Sequence, residues 1–265
     1  SMEERMTICN MSIECGARSG LISPDHTTYT WIKNTKIGQE KTDAEFSGMI
    51  KKWEAFASEE NAEYDQTIEV DLEGLSPFVT WGTTPEQGIS VTGNIPKYEE
   101  MNAGQKLLAE KSLAYTKLQA GQKISGIAIQ NVFVGSCTNG RLSDLKIVAK
   151  VFEDAKKSGK FSGVKKGVRV FIVPGSELVE KQAKQLGLDK IFREMGADFR
   201  RPGCSMCLGM NGDQVPAGER CVSTSNRNFI GRQGKGSITH LASPLMAAIS
   251  ALTGKITNPE DFFGA

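Results

Sequence analysis

Three cysteines carry the densest chemical signal in this 265-residue chain. Cys137 stands in Val134-Gly135-Ser136-Cys137-Thr138-Asn139-Gly140, directly after an apolar run. Cys204 and Cys207 form a C-x-x-C pair in Arg201-Pro202-Gly203-Cys204-Ser205-Met206-Cys207. A cubane iron–sulfur cluster normally takes four thiolates. Three leave one iron with an open coordination position, and an open position on a metal is where Lewis-acid chemistry is done. The pair alone also suits a structural zinc half-site, which wants a fourth ligand, or a redox dithiol, which usually opens a helix after a strand. Here Arg200-Arg201-Pro202-Gly203 precedes it and Leu208-Gly209-Met210 follows it, so it sits in a loop. Cluster, zinc and redox readings all stay open at this level.

Other residues could serve the same chemistry. Arg227 and Arg232, five apart in Ser223-Thr224-Ser225-Asn226-Arg227-Asn228-Phe229-Ile230-Gly231-Arg232, can converge on one anion, since guanidinium groups grip carboxylates in a fork; two solvated surface arginines are the plainer alternative. Glu14 stands among small and apolar residues in Cys9-Asn10-Met11-Ser12-Ile13-Glu14-Cys15-Gly16-Ala17. It is a candidate acid–base group, or else an ordinary helix-surface glutamate. Cys9, Cys15 and Cys221 are expected to act as small buried hydrophobes. Gly231-Arg232-Gln233-Gly234-Lys235-Gly236 follows no clear strand and reads as a turn, not a phosphate loop. With only two histidines, His26 and His240, a histidine-based site has little material.

The elements that must position these residues follow from hydrophobic period. Phe46, Met49, Ile50, Trp53 and Phe56 mark a helix over 43–57, capped by Thr42 or Asp43. Ile68, Val70 and Leu72 alternate as in a half-buried strand. Residues 75–95, rich in Gly, Pro and Thr, read as an ordered loop. Helices are expected over 103–118, 142–157, 176–186 (capped by Ser176) and 241–252, with a short turn at 191–195. Strands are expected over 124–134, 168–173 and 221–224. Continuous apolar strands alternating with helices predict an α/β fold with mainly parallel sheets flanked by helices. A change of rhythm near Gly121 suggests two α/β lobes, 1–120 and 121–265. In such sheets ligands gather beyond the carboxyl ends of the strands, where Cys137, Asn226 and Arg227 would fall.

Charge balances closely, 32 basic against 31 acidic residues, which argues against a general nucleic-acid or membrane surface. No apolar run approaches the ~20 residues needed to span a bilayer, and no signal peptide is visible. Six cysteines are too sparse for a secreted disulfide scaffold, so a reducing, cytoplasmic setting is expected.

Together these segments resemble the aconitase superfamily. Residues 6–17 are similar to its central signature, 135–141 to its first cluster signature, 202–211 to its second, and 225–232 to its substrate-arginine segment. Val79-Thr80-Trp81-Gly82-Thr83 looks like the large-subunit branch of the isopropylmalate dehydratases. The resemblance covers nearly the whole chain and implies aconitase-like three-layer α/β/α lobes. It implies that Cys137, Cys204 and Cys207 hold a [4Fe–4S] cluster whose fourth iron binds the substrate hydroxyl and carboxylate. Arg227 and Arg232 would anchor substrate carboxylates, Asn10 and Asn226 would lie near the cluster as amides that tune it, and Glu14 would act near the iron-bound hydroxyl or water. The implied reaction moves a hydroxyl between neighbouring carbons by dehydration and rehydration, turning 2-isopropylmalate into 3-isopropylmalate in leucine biosynthesis.

Some of the family pattern has no counterpart here. Family chains begin well before the signature at 6–17, with Asp- and His-containing motifs, and no Asp-Ser-His-Thr occurs in this sequence. The family's proton-abstracting serine belongs to a swivelling domain, which in this branch is a separate small subunit. The expectation is therefore a C-terminal portion of a large subunit, inactive alone, partnered by a small subunit in a heterodimer. Homoaconitase- or citrate-type hydratases share the cluster motifs. A non-catalytic metal-binding or RNA-binding module is the remaining alternative, disfavoured for RNA by the balanced charge.

Overall fold

A computed structural model describes residues 1–264 of the chain. It divides into two compact units, Ser1–Leu75 and Ser76–Ala265. The first unit holds α1 (Met2–Met11), a 3-10 turn at Ser12–Cys15, α2 (His26–Lys33), α3 (Lys36–Gln39) and α4 (Asp43–Glu54). The expected helix is thus present as α4. Thr42 caps it reciprocally: its backbone N–H donates to Glu45 Oε2 at 2.9 Å, and the Glu45 N–H donates to Thr42 Oγ1 at 3.3 Å. Phe46 is the one large buried side chain among this unit's described residues, with Trp53 edge-on to it and stacked on Tyr29. Asp25 caps α2 and pairs with Arg5 at 2.7 Å, and that guanidinium draws the Asp25 carboxyl down to about 2. The strand expected near 66–72 does not form. Alternation specifies a strand only where a neighbouring strand completes its hydrogen bonds; here Ile68, Val70 and Leu72 stay exposed.

The second unit contains the sheet. Two three-residue strands, β1 (Phe78–Thr80) and β2 (Gly88–Ser90), make an antiparallel pair inside the region expected as loop. Then come α5 (Ala103–Thr116), β3 (Asn131–Val134), α6 (Leu142–Lys157), β4 (Arg169–Ile172), α7 (Glu177–Gln185), α8 (Leu188–Glu194), β5 (Asp198–Phe199), β6 (Arg220–Ser223), β7 (Ile238–Leu241), α9 (Pro244–Thr253) and α10 (Pro259–Phe263). Strands β3 to β7 form one parallel five-stranded sheet in the order β5-β4-β3-β6-β7. The fold is α/β, a parallel sheet flanked by helices.

The units part after Leu75, not at Gly121, where the sequence rhythm changes. Residues 76–120 share the core of the sheet: Val79, Trp81, Ile95, Leu113 and Leu118 join the same apolar cluster as Val132, Ile172 and Val222. Gly121 lies inside that unit, its N–H bonded to Ile95 O at 2.8 Å.

Alternation along the strands sends side chains to two different coverings. Val132, Val134, Val170, Ile172 and Val222 pack with Leu145, Val148 and Phe152 of α6, Phe192 of α8 and Ile249 of α9. Their neighbours Phe133, Phe171, Val173 and Cys221 form a smaller cluster closed by Met206, Cys207 and Val215. Those last three belong to the helix-poor excursion between β5 and β6. The C-x-x-C segment is therefore part of the lid over the second face of the sheet.

Candidate functional site

All five strands are parallel, so their carboxyl ends share one edge. From central β3 the chain moves out through β4 to β5, then returns to the far side of β3 as β6. The gap between β3 and β6 is thus a topological switch point, where such sheets bind ligands. Cys137 follows β3 there, and Asn226 and Arg227 follow β6.

The two loops at the switch point are stitched together by Thr224. Its hydroxyl accepts from Gly135 N–H and donates to Gly135 O, both at 3.1 Å. Asn139 Nδ2 donates to Thr224 O at 2.8 Å. Gly140 lets the Cys137 loop fold tightly on itself and against the end of β4: a Cβ there would come within 2.5 Å of Ser136 O and Val173 O. The result leaves Cys137 exposed while Ser136 and Thr138 beside it are buried.

Cys204 precedes and Cys207 ends a 3-10 turn, Ser205–Cys207, with Cys207 N–H bonded to Cys204 O at 2.9 Å. Ser205 takes a left-handed backbone (φ 46), and its hydroxyl donates to Asp213 Oδ2 at 2.7 Å; Arg200 pairs with the other Asp213 oxygen. Cys204 is exposed and Cys207 buried. A cleft of about 390 Å³ opens beside this turn, lined in part by Arg200, Arg201, Ser205 and Asp213.

Arg232 reaches Cys207: its Nη2 donates to Cys207 Sγ at 3.5 Å. The guanidinium lies 5.3 Å from the Phe229 ring centre, Arg232 as a whole is 8% exposed, and its Nε has no hydrogen-bond partner among the described residues. A buried charged donor without a partner is costly, and a carboxylate is the group whose geometry would satisfy it. Asn226 is buried and Arg227 half-buried. Asn10, half-buried in α1, and Glu14, exposed in the following 3-10 turn, lie in the first unit.

The remaining cysteines divide. Cys221 is fully buried, and desolvation pushes its thiol up to about 12, as a small hydrophobe requires. Cys9 is half-buried and Cys15 exposed, so the expectation of burial does not hold for them. Residues 231–236 form turns, as expected. Sequence reasoning missed Thr224, Gln233 and Asp213, which hold the site loops. Asn139, Thr224 and Gln233 stand inside segments singled out from the sequence but with no assigned role. Asp213 offers no pattern, since it is a single polar residue in a loop.

The donor set fits an iron–sulfur cluster on two counts. Cys137 lies at the switch point, Cys204 and Cys207 sit three apart on one turn, and Cys207 already receives a cationic N–H, the kind of contact a metal-bound thiolate takes. Among the described residues no three Cys, His, Asp or Glu side chains are placed to hold a single metal ion. A cubane spans several atoms, so its thiolates come from further apart than those of one ion.

A parallel α/β unit with an exposed thiol and a half-buried guanidinium group in the loops beyond the carboxyl ends of its central strands has the form of a ligand-binding α/β protein. The Aconitase family model (aconitate hydratase) matches residues 1–254, and the chain belongs to that family. It is 48% identical over 266 residues to a 3-isopropylmalate dehydratase large subunit of Bacillus thuringiensis (strain Al Hakam). The match takes in all of this chain and 54% of that relative, so the chain spans about half the relative's length.

Proposed function

We propose that this chain is the cluster-holding part of a hydro-lyase large subunit that interconverts 2- and 3-isopropylmalate, a step of leucine biosynthesis carried out in the cytoplasm. The observation that carries the proposal is the switch point, where the Thr224 hydroxyl bonds Gly135 and so ties the loop that bears Cys137 to the loop that bears Asn226 and Arg227. The 48% identity to a 3-isopropylmalate dehydratase large subunit supports the substrate, and that relative's description as a large subunit supports a small-subunit partner.

In this reading Cys137, Cys204 and Cys207 hold a [4Fe–4S] cluster, which when bound supplies a Lewis-acid position for a hydroxyl leaving group. Arg232 keeps Cys207 Sγ engaged through Nη2, and its unpartnered buried Nε offers a donor to a substrate carboxylate. Arg227 supplies the second cation, so two guanidinium groups orient a dicarboxylate and balance its charge. Asn226 contributes an amide; for Asn10 and Glu14, in the first unit, an amide role and a proton-transfer role rest on the family resemblance alone.

Anaerobic reconstitution of the 265-residue chain should incorporate roughly four irons and four sulfides, and Cys137→Ser should lower both. The chain alone should not turn over 2-isopropylmalate, whereas a full-length large subunit with its small subunit should. Zinc uptake without sulfide would remove the cluster reading, and preference for citrate or homocitrate in the complete assembly would move the substrate elsewhere in the family.

A further inference from the structure

We infer that Gln233 is a positioning residue that locks the C-x-x-C turn to the strands carrying the arginine segment; the inference deepens the site reading above. Gln233 is 0% exposed, although a glutamine amide inside a core is costly unless every polar atom is matched. Here it is matched. Thr239 Oγ1 donates to Gln233 Oε1 at 2.8 Å, while Gln233 Nε2 donates to Met206 O at 3.0 Å and to Ser223 Oγ at 3.2 Å. A carbonyl can only accept, so the Met206 contact fixes which end of the amide is nitrogen.

The three partners belong to three segments. Met206 lies between the two cysteines of the pair, Ser223 ends β6, and Thr239 lies on β7. Ser223 Oγ passes the connection onward, donating to Ser225 Oγ at 2.9 Å and accepting from Ser225 N–H at 3.2 Å, immediately before Asn226 and Arg227. The Gln233 backbone adds a fourth link, its carbonyl accepting from Val215 N–H at 2.8 Å. A Cβ on Gly209 would meet the Gln233 carbonyl carbon at 3.1 Å, so the loop after Cys207 lies directly on this residue. Arg232, the donor to Cys207, is its sequence neighbour. One amide therefore sets the distance between a thiol and both arginines, a role nothing in the cluster motifs assigns.

Gln233→Glu changes one N–H₂ to oxygen at constant shape and turns the Met206 contact from attraction to repulsion. The test is alkylation of the cluster-free chain with iodoacetamide, read cysteine by cysteine by mass spectrometry. Cys207 labelling should rise about tenfold, the scale of one lost buried hydrogen bond, with Cys137 unchanged and Cys221, the reporter of global opening, still protected. Thr239→Val, which removes only the donor that orients the amide, should give a smaller rise of the same pattern. Equal rises at Cys207 and Cys221 would mean general unfolding and overturn the inference, as would wild-type protection of Cys207 in Gln233→Glu. In the reconstituted chain the variant should also alter the electron paramagnetic resonance signal of the reduced cluster. A wild-type chain that takes up no cluster defeats the functional proposal but leaves the labelling result to decide on Gln233.

Discussion

The two faces of the five-stranded sheet are built by different means. One face is covered by α6, α8 and α9, and its side chains interlock as an apolar core: Phe152 is fully buried and edge-on to Phe192. The other is covered by the excursion between β5 and β6, and much of its cohesion is hydrogen bonding. Asn131 receives Arg169 at 2.8 Å and donates to Glu219 at 2.8 Å, Arg169 reaches Gln214 O at 3.0 Å, and Gln233 ties Met206 to Ser223 and Thr239. Apolar packing tolerates small shifts, whereas a polar strut is satisfied at one distance and one angle. The face that carries Cys207 is therefore the one held largely by polar struts.

The largest way to break this comparison lies on the helix side. Phe152→Ala should cost about 4 kcal/mol in denaturant unfolding, lowering the midpoint. A loss under about 1 kcal/mol, the scale of a site that collapses well or is half-exposed, would show that the helices do not supply the main core.

Next comes His240, on β7 in register with Val222 of the helix-covered face. Its Nδ1–H donates to Thr80 O at 2.7 Å, which leaves Nε2 to accept from Arg220 Nη1 at 3.3 Å. Burial, with the Arg220 charge adding to it, pushes the imidazole down to about 4 from 6.5. Between those values the unfolded chain binds a proton that the folded chain refuses. The contribution is complete above pH 6.5 and declines as pH falls toward 4, by about 3 kcal/mol. Unfolding free energy measured from pH 7 to 4 should show this decline, and His240→Gln should flatten it; an identical slope in the variant would discard the assignment.

The smallest effect sharpens the contrast at the sheet edge. Thr224→Val keeps the shape but strands the Gly135 N–H, at a cost of about 2 kcal/mol. Cys137 should then alkylate faster, and Phe152→Ala should not change Cys137 relative to Cys221 at equal stability. If both variants expose Cys137 alike, the stitch is not what holds that loop.

Legibility in the sequence follows the same division. The α6 helix, 142–157, was readable because Leu145, Val148, Phe152 and Ala155 repeat at helical spacing against one apolar face. Among the inner strands, β4 was readable as a continuous apolar run, while of the strand expected over 124–134 only 131–134 forms as β3, with Ala128 in an isolated bridge. β7 was not, because Ile238-Thr239-His240-Leu241 mixes a threonine bonded to Gln233 with a histidine buried against Arg220; polar partners disguise its burial. The hairpin at 78–90 has strands of three residues, too short for a period to show. Residues 66–72 had the period without the partner. At the site, the thiols and arginines announced themselves by type and spacing, while Thr224, Asp213 and Gln233 act through geometry that only the folded chain reveals.

Ser205 carries a further consequence. Its left-handed backbone excludes β-branched residues, which cannot take φ 46 without severe crowding. Its bond to Asp213 demands a short side chain with a donor. Glycine meets the first demand and fails the second; threonine does the reverse. Position 205 is thus a double filter on the alphabet, and serine passes both with asparagine as the nearest substitute. Variation among natural versions of this turn should be narrower at 205 than at Met206 beside it, where volume alone is at stake.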